Sequence, residues 1–236
     1  MQRIITLTFI IFISLGLSAQ SLLPIKYGIK LGSNIANIVS QSNDGVENLD
    51  NSALIKVNGG FYMEIALNDK WYINPELIYS QRGASFTYNY YHDYDVNQRD
   101  LHTTSNELKL TYIEINPTIS YKKSKRLALN FGPSISSLLS FEYNVFSEKG
   151  ANDTDPLHET LDDATYSEET LDIGINLGIS YYLSDDLLIE GKVNRGFMSI
   201  GSISKEIYTG SDPDKLREKI YELKNIGIVF SIGYLF

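Results

Sequence analysis

Charged side chains at alternate positions of otherwise apolar segments are the first candidates for chemistry in this sequence. Carboxylates and amines turned to the inside of a closed sheet could line an ion path or pair with one another. Because buried charges need partners, we expect a packed lumen charge network, and a narrow passive channel is the alternative. The expected members are Lys30, Lys56, Glu64, Glu76, Arg82, Glu114, Glu190 and Lys192, with Lys26 a further inward position.

Three histidines offer imidazoles for metal binding or acid–base catalysis. His92 and His102 share one polar segment with Asp93, Asp95 and Asp100, and His158 lies in an acidic segment, residues 152–172. Neither segment has the spacing of a known metal motif, and the acidic one lacks the residue order of a calcium loop. The chain also has no cysteine, no phosphate-binding loop and no nucleophile elbow. We therefore expect solvated loops here, with no catalytic residue, no metal and no cofactor.

Eight segments with period-two alternation would position the charged residues as strands. In each segment, large apolar side chains alternate with small or polar ones, which is typical of a sheet with one apolar and one polar face. The segments cover residues 25–32, 56–67, 71–82, 107–121, 127–141, 171–181, 187–197 and 225–236.

The connections between these segments alternate between short and long. Links of a few residues follow the second, fourth and sixth segments, and long ones cover about 38–54, 87–105, 145–169 and 201–224. Short periplasmic turns and long extracellular loops give this alternation in outer-membrane barrels. Together with apolar faces long enough to cross a bilayer, it predicts an all-β fold, an eight-stranded antiparallel up-and-down transmembrane β-barrel. A soluble lipid-binding barrel would instead turn its apolar faces inward.

Aromatic side chains support a membrane location, because their rings favour the interface between lipid and water. The outward aromatics at the periplasmic strand ends are Tyr27, Trp71, Tyr121, Tyr181, Tyr234 and Phe236. A thinner extracellular girdle has the candidates Tyr79, Phe141 and Phe197. In the fourth strand, Leu108, Leu110 and Tyr112 have the opposite parity. This leaves open a bulge near Tyr112 or a half-strand above the bilayer.

The last long connection has the pattern of a short helix. Asp212 suits the N-cap and Pro213 the first helical position, and Leu216, Ile220 and Leu223 recur at helical spacing. The sequence therefore predicts a helix over residues 213–223 that leads into the last strand.

The N-terminus has the three-part layout of a secretory signal peptide. A short basic start precedes the apolar run Ile4–Leu17, and small residues follow it. This predicts a signal peptide over residues 1–19, cleavage between Ala19 and Gln20, and a barrel domain over residues 20–236. The mature chain then has 19 basic and 29 acidic residues, a formal net charge of −10, which argues against nucleic acid as a partner.

The C-terminal strand resembles the closing strand and insertion signal of bacterial outer-membrane barrels. The residues of that signal are Phe230, Ile232, Tyr234 and Phe236. The mature chain is also similar to the PorT-like small outer-membrane barrels of the Bacteroidetes. The stretches that carry this resemblance are Tyr27–Asn34, Leu110–Pro117, Phe131–Pro133 and Ser231–Phe236, with the signal-peptide exit Ser18–Gln20.

The resemblance implies a barrel in the cell outer membrane, surrounded by outer-membrane lipid and inserted by the barrel-insertion machinery. It implies no catalytic chemistry, and PorT itself is associated with gliding and type IX secretion machinery. We expect a monomeric, non-enzymatic barrel whose surface loops engage an envelope component or another partner. A small barrel enzyme with an active site at its extracellular rim is the alternative.

Overall fold

The chain folds into one antiparallel sheet that contains nine strands in its described part. The computed structural model describes residues 24–42, 51–95, 98–148, 170–208 and 216–236, with side chains described over 24–40, 51–86, 106–142, 144, 170–201 and 222–236. The strands are β1 (Ile25–Ser42), β2 (Asn51–Ala66), β3 (Trp71–Asp95), β4 (Gln98–Lys122), β5 (Leu127–Glu148), β6 (Leu171–Tyr182), β7 (Leu187–Gly196), β8 (Gly201–Tyr208) and β9 (Leu216–Leu235). Among the described residues, no helix is long and apolar enough to span a membrane.

The sheet closes on itself into a barrel with eight strand positions around its wall, which confirms the predicted strand number. Each strand from β1 to β7 pairs with the next, β7 pairs with β9, and β9 pairs with β1 from Gly28↔Leu235 to Ser42↔Tyr221. Both β7 and β8 pair with β9, one beyond the other, and together they occupy the seventh strand position of the barrel. The interruption lies at residues 197–200.

The three short connections lie at one end of the barrel, here called the lower end. They comprise residues 67–70, 123–126 and 183–186. The C-terminal Phe236 also lies there, where its backbone N–H donates to the Tyr27 carbonyl oxygen at 2.8 Å. The strands therefore leave the lower end as hairpins joined by tight turns, and their other ends define the opposite, upper end.

Alternate residues of each strand in the barrel wall face the inside and the outside of the barrel. In β6, for example, Asp172, Gly174 and Asn176 are buried, whereas Ile173 and Ile175 are exposed on the outer face. Polar residues fill the inward positions of the middle barrel, and large apolar residues occupy the outward positions. This arrangement is the reverse of a soluble barrel. Nearer the lower end, the inward positions also hold a small buried cluster of Tyr62, Ala128, Tyr182, Leu188 and Leu235.

The inward face of β4 keeps one parity throughout, because every even position from Asn106 to Ser120 is buried. Its composition changes from polar to apolar above Glu114, which explains the apparent change of phase in the sequence. A bulge does occur beside Tyr112, and it lies in β5: Thr111 pairs with Ser140 and Tyr112 pairs with Leu138. The extra residue of β5 is Leu139, which is exposed.

The bulge reverses the side to which the following residues of β5 turn. Phe141, predicted as an outward girdle residue, instead packs against an apolar cluster inside the barrel. That part of the prediction was wrong, because a single inserted residue exchanges the two faces of a strand.

The strands continue well beyond the predicted ends into segments predicted as loops. The β3–β4 ladder runs from Trp71↔Tyr121 to Asp95↔Gln98, so that most of the predicted loop 87–105 consists of paired strands. β1 likewise extends to Ser42, and β5 extends to Glu148. Each added residue pair satisfies backbone groups that a loop would leave to water.

The predicted helix over residues 213–223 was wrong, since β9 is extended from Leu216 onward. Residues 213–215 lie outside the described residues. From Leu216 to Leu223 the strand pairs with β8, and from Tyr221 it also pairs with β1. A helix this short is marginal on its own, whereas the strand gains two hydrogen-bonding neighbours.

Gly32 on β1 is required by the close approach of β9. A Cβ built at Gly32 overlaps the Phe230 carbonyl oxygen and lies 2.7 Å from Ser231 Cα. We expect Gly32→Ala to destabilise the barrel by about 1–3 kcal/mol, because the β1–β9 backbones would have to move apart. The measurement is urea unfolding of refolded protein, followed by heat-modifiable gel mobility.

Gly191 is the matched control for that substitution. Its added Cβ would meet only the Phe230 ring, at 3.6 Å, so Gly191→Ala should change the unfolding free energy by less than about 0.5 kcal/mol. Equal stability of the two variants would contradict the role assigned to Gly32.

Candidate functional site

Four charged residues form a closed ring across the centre of the barrel interior. Lys30 Nζ lies 2.5 Å from Glu76 Oε1 and 3.0 Å from Glu190 Oε2. Lys192 Nζ lies 2.7 Å from Glu76 Oε2 and 3.0 Å from Glu190 Oε1. All four side chains are buried, and the ring has no net charge. Each ion therefore has two partners of opposite sign, which a buried charge needs in order to remain charged.

Neutral polar groups complete the central ring. Asn130 Nδ2 and Ser180 Oγ donate to Glu190 Oε2 at 3.1 and 3.0 Å. Asn116 Nδ2 donates to Glu76 Oε2 at 3.4 Å. These contacts come from β4, β5 and β6, so the ring ties together the walls of the barrel.

A second cluster, at the level above the ring, is built around Arg82. Its Nη2 donates to Glu114 Oε1 at 2.6 Å, and its Nη1 lies 3.9 Å from Asp172 Oδ2. Asn225 Nδ2 donates to Asp172 Oδ2 at 2.9 Å and to Tyr112 Oη at 3.1 Å. The cluster therefore links β3, β4, β6 and β9.

An apolar plug fills the interior above Arg82. Its members are Ile38, Ala84, Phe86, Leu108, Leu110, Tyr112, Ile200 and Leu223, all of them buried. Packing this group inside the barrel removes apolar area from water and excludes water from the upper interior.

A third polar cluster lies near the lower end. Lys122 Nζ lies 2.7 Å from Glu64 Oε1, and Tyr182 Oη donates to Glu64 Oε2 at 2.6 Å. The same ammonium lies 3.9 Å from the centre of the Tyr72 ring and 4.6 Å from that of Tyr182. A cavity of about 560 Å³ opens beside these residues. The interior is thus open at this end.

The free space between the central ring and the Arg82 cluster is very small. The cavity there measures about 20 Å³ and is lined by residues of both clusters, among them Lys30, Arg82 and Lys192. Such a volume holds about one water molecule. A continuous aqueous path past these residues would need their side chains to move.

The structure brings together only part of the residue set predicted as one network. Lys30, Glu76, Glu190 and Lys192 form the central ring, and Arg82 and Glu114 pair above it. Glu64 belongs to the lower cluster, and Lys56 pairs with Glu107. Lys26, also expected to face inward, is exposed at the lower rim, where its Nζ lies 3.4 Å from Asp186 Oδ1.

Sequence analysis missed three interior residues that complete these clusters. Lys122 was assigned to a turn, Asp172 to the acidic loop 152–172, and Asn225 was given no role. Asp172 and Asn225 are buried beside Arg82. The period-two pattern could have indicated Asp172, because it continues the inward row of β6; its partners depend on strand register.

The remaining candidate residues lie apart from the interior clusters. The backbones of His92 and His102 belong to the β3–β4 ladder, whereas His158 and the proposed cleavage site at Ala19 and Gln20 lie outside the described residues. Among the side chains that the structure describes, no group of three His, Asp or Glu is arranged to hold a metal ion.

The outer surface carries a belt of exposed apolar side chains that encircles the barrel. The belt includes Ile29, Leu31, Phe61, Leu77, Ile115, Leu129, Phe131, Ile175, Leu177, Ile179, Ile189, Val193, Ile228, Phe230 and Ile232. At its lower margin lie exposed Tyr27, Trp71, Tyr181, Tyr234 and Phe236. The Trp71 and Tyr121 rings contact each other there in a tilted arrangement, with centroids 5.0 Å apart. Exposing so large an apolar surface to water would be unfavourable, whereas its contact with lipid hydrocarbon is not.

A closed antiparallel barrel with an apolar outside, an aromatic girdle and a polar interior is a transmembrane β-barrel. The family model described as "Outer membrane protein beta-barrel domain" matches residues 18–201, and the chain belongs to that family. The protein is therefore located in the outer membrane, where lipid contacts its apolar belt. The lower end with its short turns corresponds to the periplasmic side and the upper end to the extracellular side.

Solved structures of other outer-membrane proteins have similar chain courses. Ail, the attachment invasion locus protein of Yersinia pestis, was solved with the heparin analogue sucrose octasulfate; it is 10% identical, with 90% of this chain and 99% of that chain covered and a TM-score of 0.39. AlkL in lipid bilayers is 11% identical, with 89% and 90% covered and a TM-score of 0.42. OprG from Pseudomonas aeruginosa is 14% identical, with 90% and 94% covered and a TM-score of 0.34. No curated protein matches the sequence.

Proposed function

We propose that this protein is a non-enzymatic, monomeric barrel that presents its extracellular strands to a partner in the envelope or at the cell surface. The observation that carries the proposal is the contrast between the filled interior and the extended extracellular end. The interior is filled by charge clusters and by the apolar plug, whereas the β3–β4 ladder continues to Asp95↔Gln98 above the belt. A filled barrel has little room for transport, so its extended surface is the part available for interaction.

The particular role that we propose is that of a PorT-like barrel of the Bacteroidetes, linked to secretion or gliding machinery. The support is the likeness of Tyr27–Asn34, Leu110–Pro117 and Ser231–Phe236 to that group. The outward row Phe230, Ile232, Tyr234 and Phe236 of β9 is exposed, and we propose that the barrel-insertion machinery recognises it during biogenesis.

The experiment that tests the proposal shortens the extracellular hairpin and leaves the membrane barrel intact. Residues 88–104 are replaced by Asn-Gly, which suits a two-residue hairpin turn, so that Thr87 and Ser105 remain paired. In a deletion strain tested for protein secretion and surface motility, the full chain should restore the lost property, and the shortened chain should insert without restoring it. Full rescue by the shortened chain would contradict the proposal.

The filled interior predicts that the purified protein does not conduct ions. In planar bilayers we expect only the leak of the bare membrane, because the central ring and the apolar plug leave no continuous path. Heat-modifiable mobility of the same preparation provides the control for folding. Stable, ion-selective current steps from folded protein would overturn the closed-lumen interpretation and favour the narrow channel.

The signal peptide predicts the mass of the mature protein. Cleavage should occur between Ala19 and Gln20, because small residues follow the apolar run. Intact-mass analysis of protein taken from outer-membrane fractions should therefore show a chain that starts at Gln20. A mass that includes Met1 or Arg3 would refute the prediction.

A further inference from the structure

The tight turn between β4 and β5, residues 123–126, holds a group of positive charges at the periplasmic rim. Lys123, Lys125 and Arg126 are exposed, and none of them forms an ion pair with a carboxylate of the described residues. Lys122, which precedes them, is already paired with Glu64. The turn therefore has three positive charges that no described carboxylate neutralises by contact.

The other charged side chains of this rim are distributed differently. The β2–β3 turn has Asp69 and Lys70, whose charges cancel, and the β6–β7 turn has Asp185 and Asp186. Lys26, near the start of β1, has its Nζ 3.4 Å from Asp186 Oδ1. The rim is thus positive on the side of β4 and β5 and negative on the side of β6 and β7. An anionic ligand would be attracted to the first side and repelled from the second.

Hydrogen bonds fix the backbone from which these positive side chains extend. Ser124 Oγ accepts from the backbone N–H of Arg126 at 3.3 Å and from that of Leu127 at 3.1 Å. The backbone N–H of Tyr182 on β6 donates to the Arg126 carbonyl oxygen at 2.8 Å. A turn that is held in this way needs little further ordering when a ligand binds, which lowers the entropic cost of binding.

Aromatic residues on both sides place this turn at the level of the lipid headgroups. Trp71 and Tyr121, paired near the end of β4, have ring centroids 5.0 Å apart, and Tyr181 pairs with Leu127 just after the turn. Such rings lie at the interface between hydrocarbon and water. Lys and Arg side chains just beyond this level meet headgroup phosphates, because their long stems reach the interface.

We propose that the β4–β5 turn binds the phosphate of an anionic phospholipid in the periplasmic leaflet. Ammonium and guanidinium groups donate charge-assisted hydrogen bonds to phosphate oxygens. A zwitterionic headgroup carries an ammonium of its own beside the phosphate, so it gains less from the same cluster. The acidic β6–β7 turn repels the anionic lipid, so this lipid should collect on one side of the barrel.

The test uses the mature chain refolded into vesicles of equal parts phosphatidylcholine and phosphatidylglycerol, with bromine on the acyl chains of one lipid at a time. Bromine quenches tryptophan fluorescence at short range. Trp71 is the only tryptophan of the chain, and it lies beside the turn, since the Lys122 N–H donates to the Lys70 carbonyl oxygen at 2.8 Å. The ratio of the two quenching values therefore reports which lipid occupies this part of the surface.

We expect phosphatidylglycerol to be preferred there by about fivefold, because each Lys or Arg near an anionic membrane surface contributes roughly that factor. The preference should shrink in about 1 M salt, where the Debye length falls to about 3 Å. Combining Lys123→Gln, Lys125→Gln and Arg126→Gln should bring the two lipids close to equality.

Lys26→Gln is the matched control, because it removes a lysine of the same rim on the side away from the turn. It breaks the contact with Asp186 and should leave the lipid preference unchanged. Heat-modifiable mobility should be the same for both variants, since none of the substituted side chains belongs to an interior cluster. Inorganic phosphate added at constant ionic strength should also leave the preference unchanged.

Four results would overturn the proposal. The two brominated lipids quench the unaltered protein equally; the triple variant keeps the preference; Lys26→Gln loses it to the same extent as the triple variant; or inorganic phosphate abolishes it. The last result would assign the turn to free phosphate instead of to a membrane lipid.

Discussion

Replacing Glu76 with Gln should lower the unfolding free energy by about 3–5 kcal/mol, because it leaves buried lysines without one of their two carboxylate partners. Glu76 contacts both Lys30 and Lys192, and in the variant both ammonium groups would share Glu190 alone. The measurement is urea unfolding of the barrel in lipid vesicles, followed by tryptophan fluorescence of Trp71. The chain has one tryptophan, so the signal reports a single position.

Two companion variants separate the central ring from ordinary surface pairs. Lys192→Met combined with Glu76→Gln restores the charge balance, and the double variant should recover part of the lost stability. Asp186→Asn breaks the exposed pair with Lys26, which should change stability by at most about 1 kcal/mol. A Glu76→Gln barrel as stable as the unaltered one would show that the ring contributes nothing net to folding.

Replacing Leu177 with Arg should cost about 2–4 kcal/mol, because it places a charge on the lipid-facing surface near the middle of the belt. Leu177 is 57% exposed on the outer face, and its neighbours in the ladder are Phe131 and Val193. Both direct neighbours are apolar, and the hydrocarbon offers no hydrogen-bond partner. Folding yield and urea unfolding in lipid vesicles measure the cost.

Leu171 provides a control on the same strand and the same face. It lies above the level of Ile173, which accepts a hydrogen bond from Phe197 N at the upper margin of the belt. Leu171→Arg should therefore cost no more than about 1 kcal/mol, since the penalty falls towards the interface. If arginine were equally tolerated at both positions, β6 would not face lipid.

The sequence predicts the membrane part of this barrel well, because lipid outside and polar groups inside impose opposite demands on alternate residues. Ile175 and Asn176 illustrate this directly, with one exposed on the belt and the other buried. The sequence left the inward face of β4 open at Leu108, Leu110 and Tyr112, since an apolar plug inside the barrel has the same composition as a lipid-facing surface. Composition alone cannot distinguish these two environments.

The upper strand ends and the partners within the clusters could not be predicted for different reasons. Above the belt the contrast between lipid and lumen ends, so the alternation weakens, and residues 87–95 and 98–105 have the composition of a loop although they form a ladder. The approach of Arg82 to Asp172 depends on the register of several intervening strand pairs. A bulge such as that at Leu139 shifts the register by one residue, and no local signal gives its position.

The continuation of β3 and β4 beyond the barrel has a consequence for how such proteins can diverge. A hairpin grows or shrinks by equal numbers of residues on its two strands, and a change of two residues on each keeps every remaining side chain on its original face. The pairs from Trp71↔Tyr121 to Thr87↔Ser105 would be unaffected by changes at the tip. The extracellular hairpin could therefore become longer or shorter, or change its residue types, while the membrane-embedded part of the barrel stays the same. Foreign hairpins grafted between Thr87 and Ser105 should be tolerated equally well.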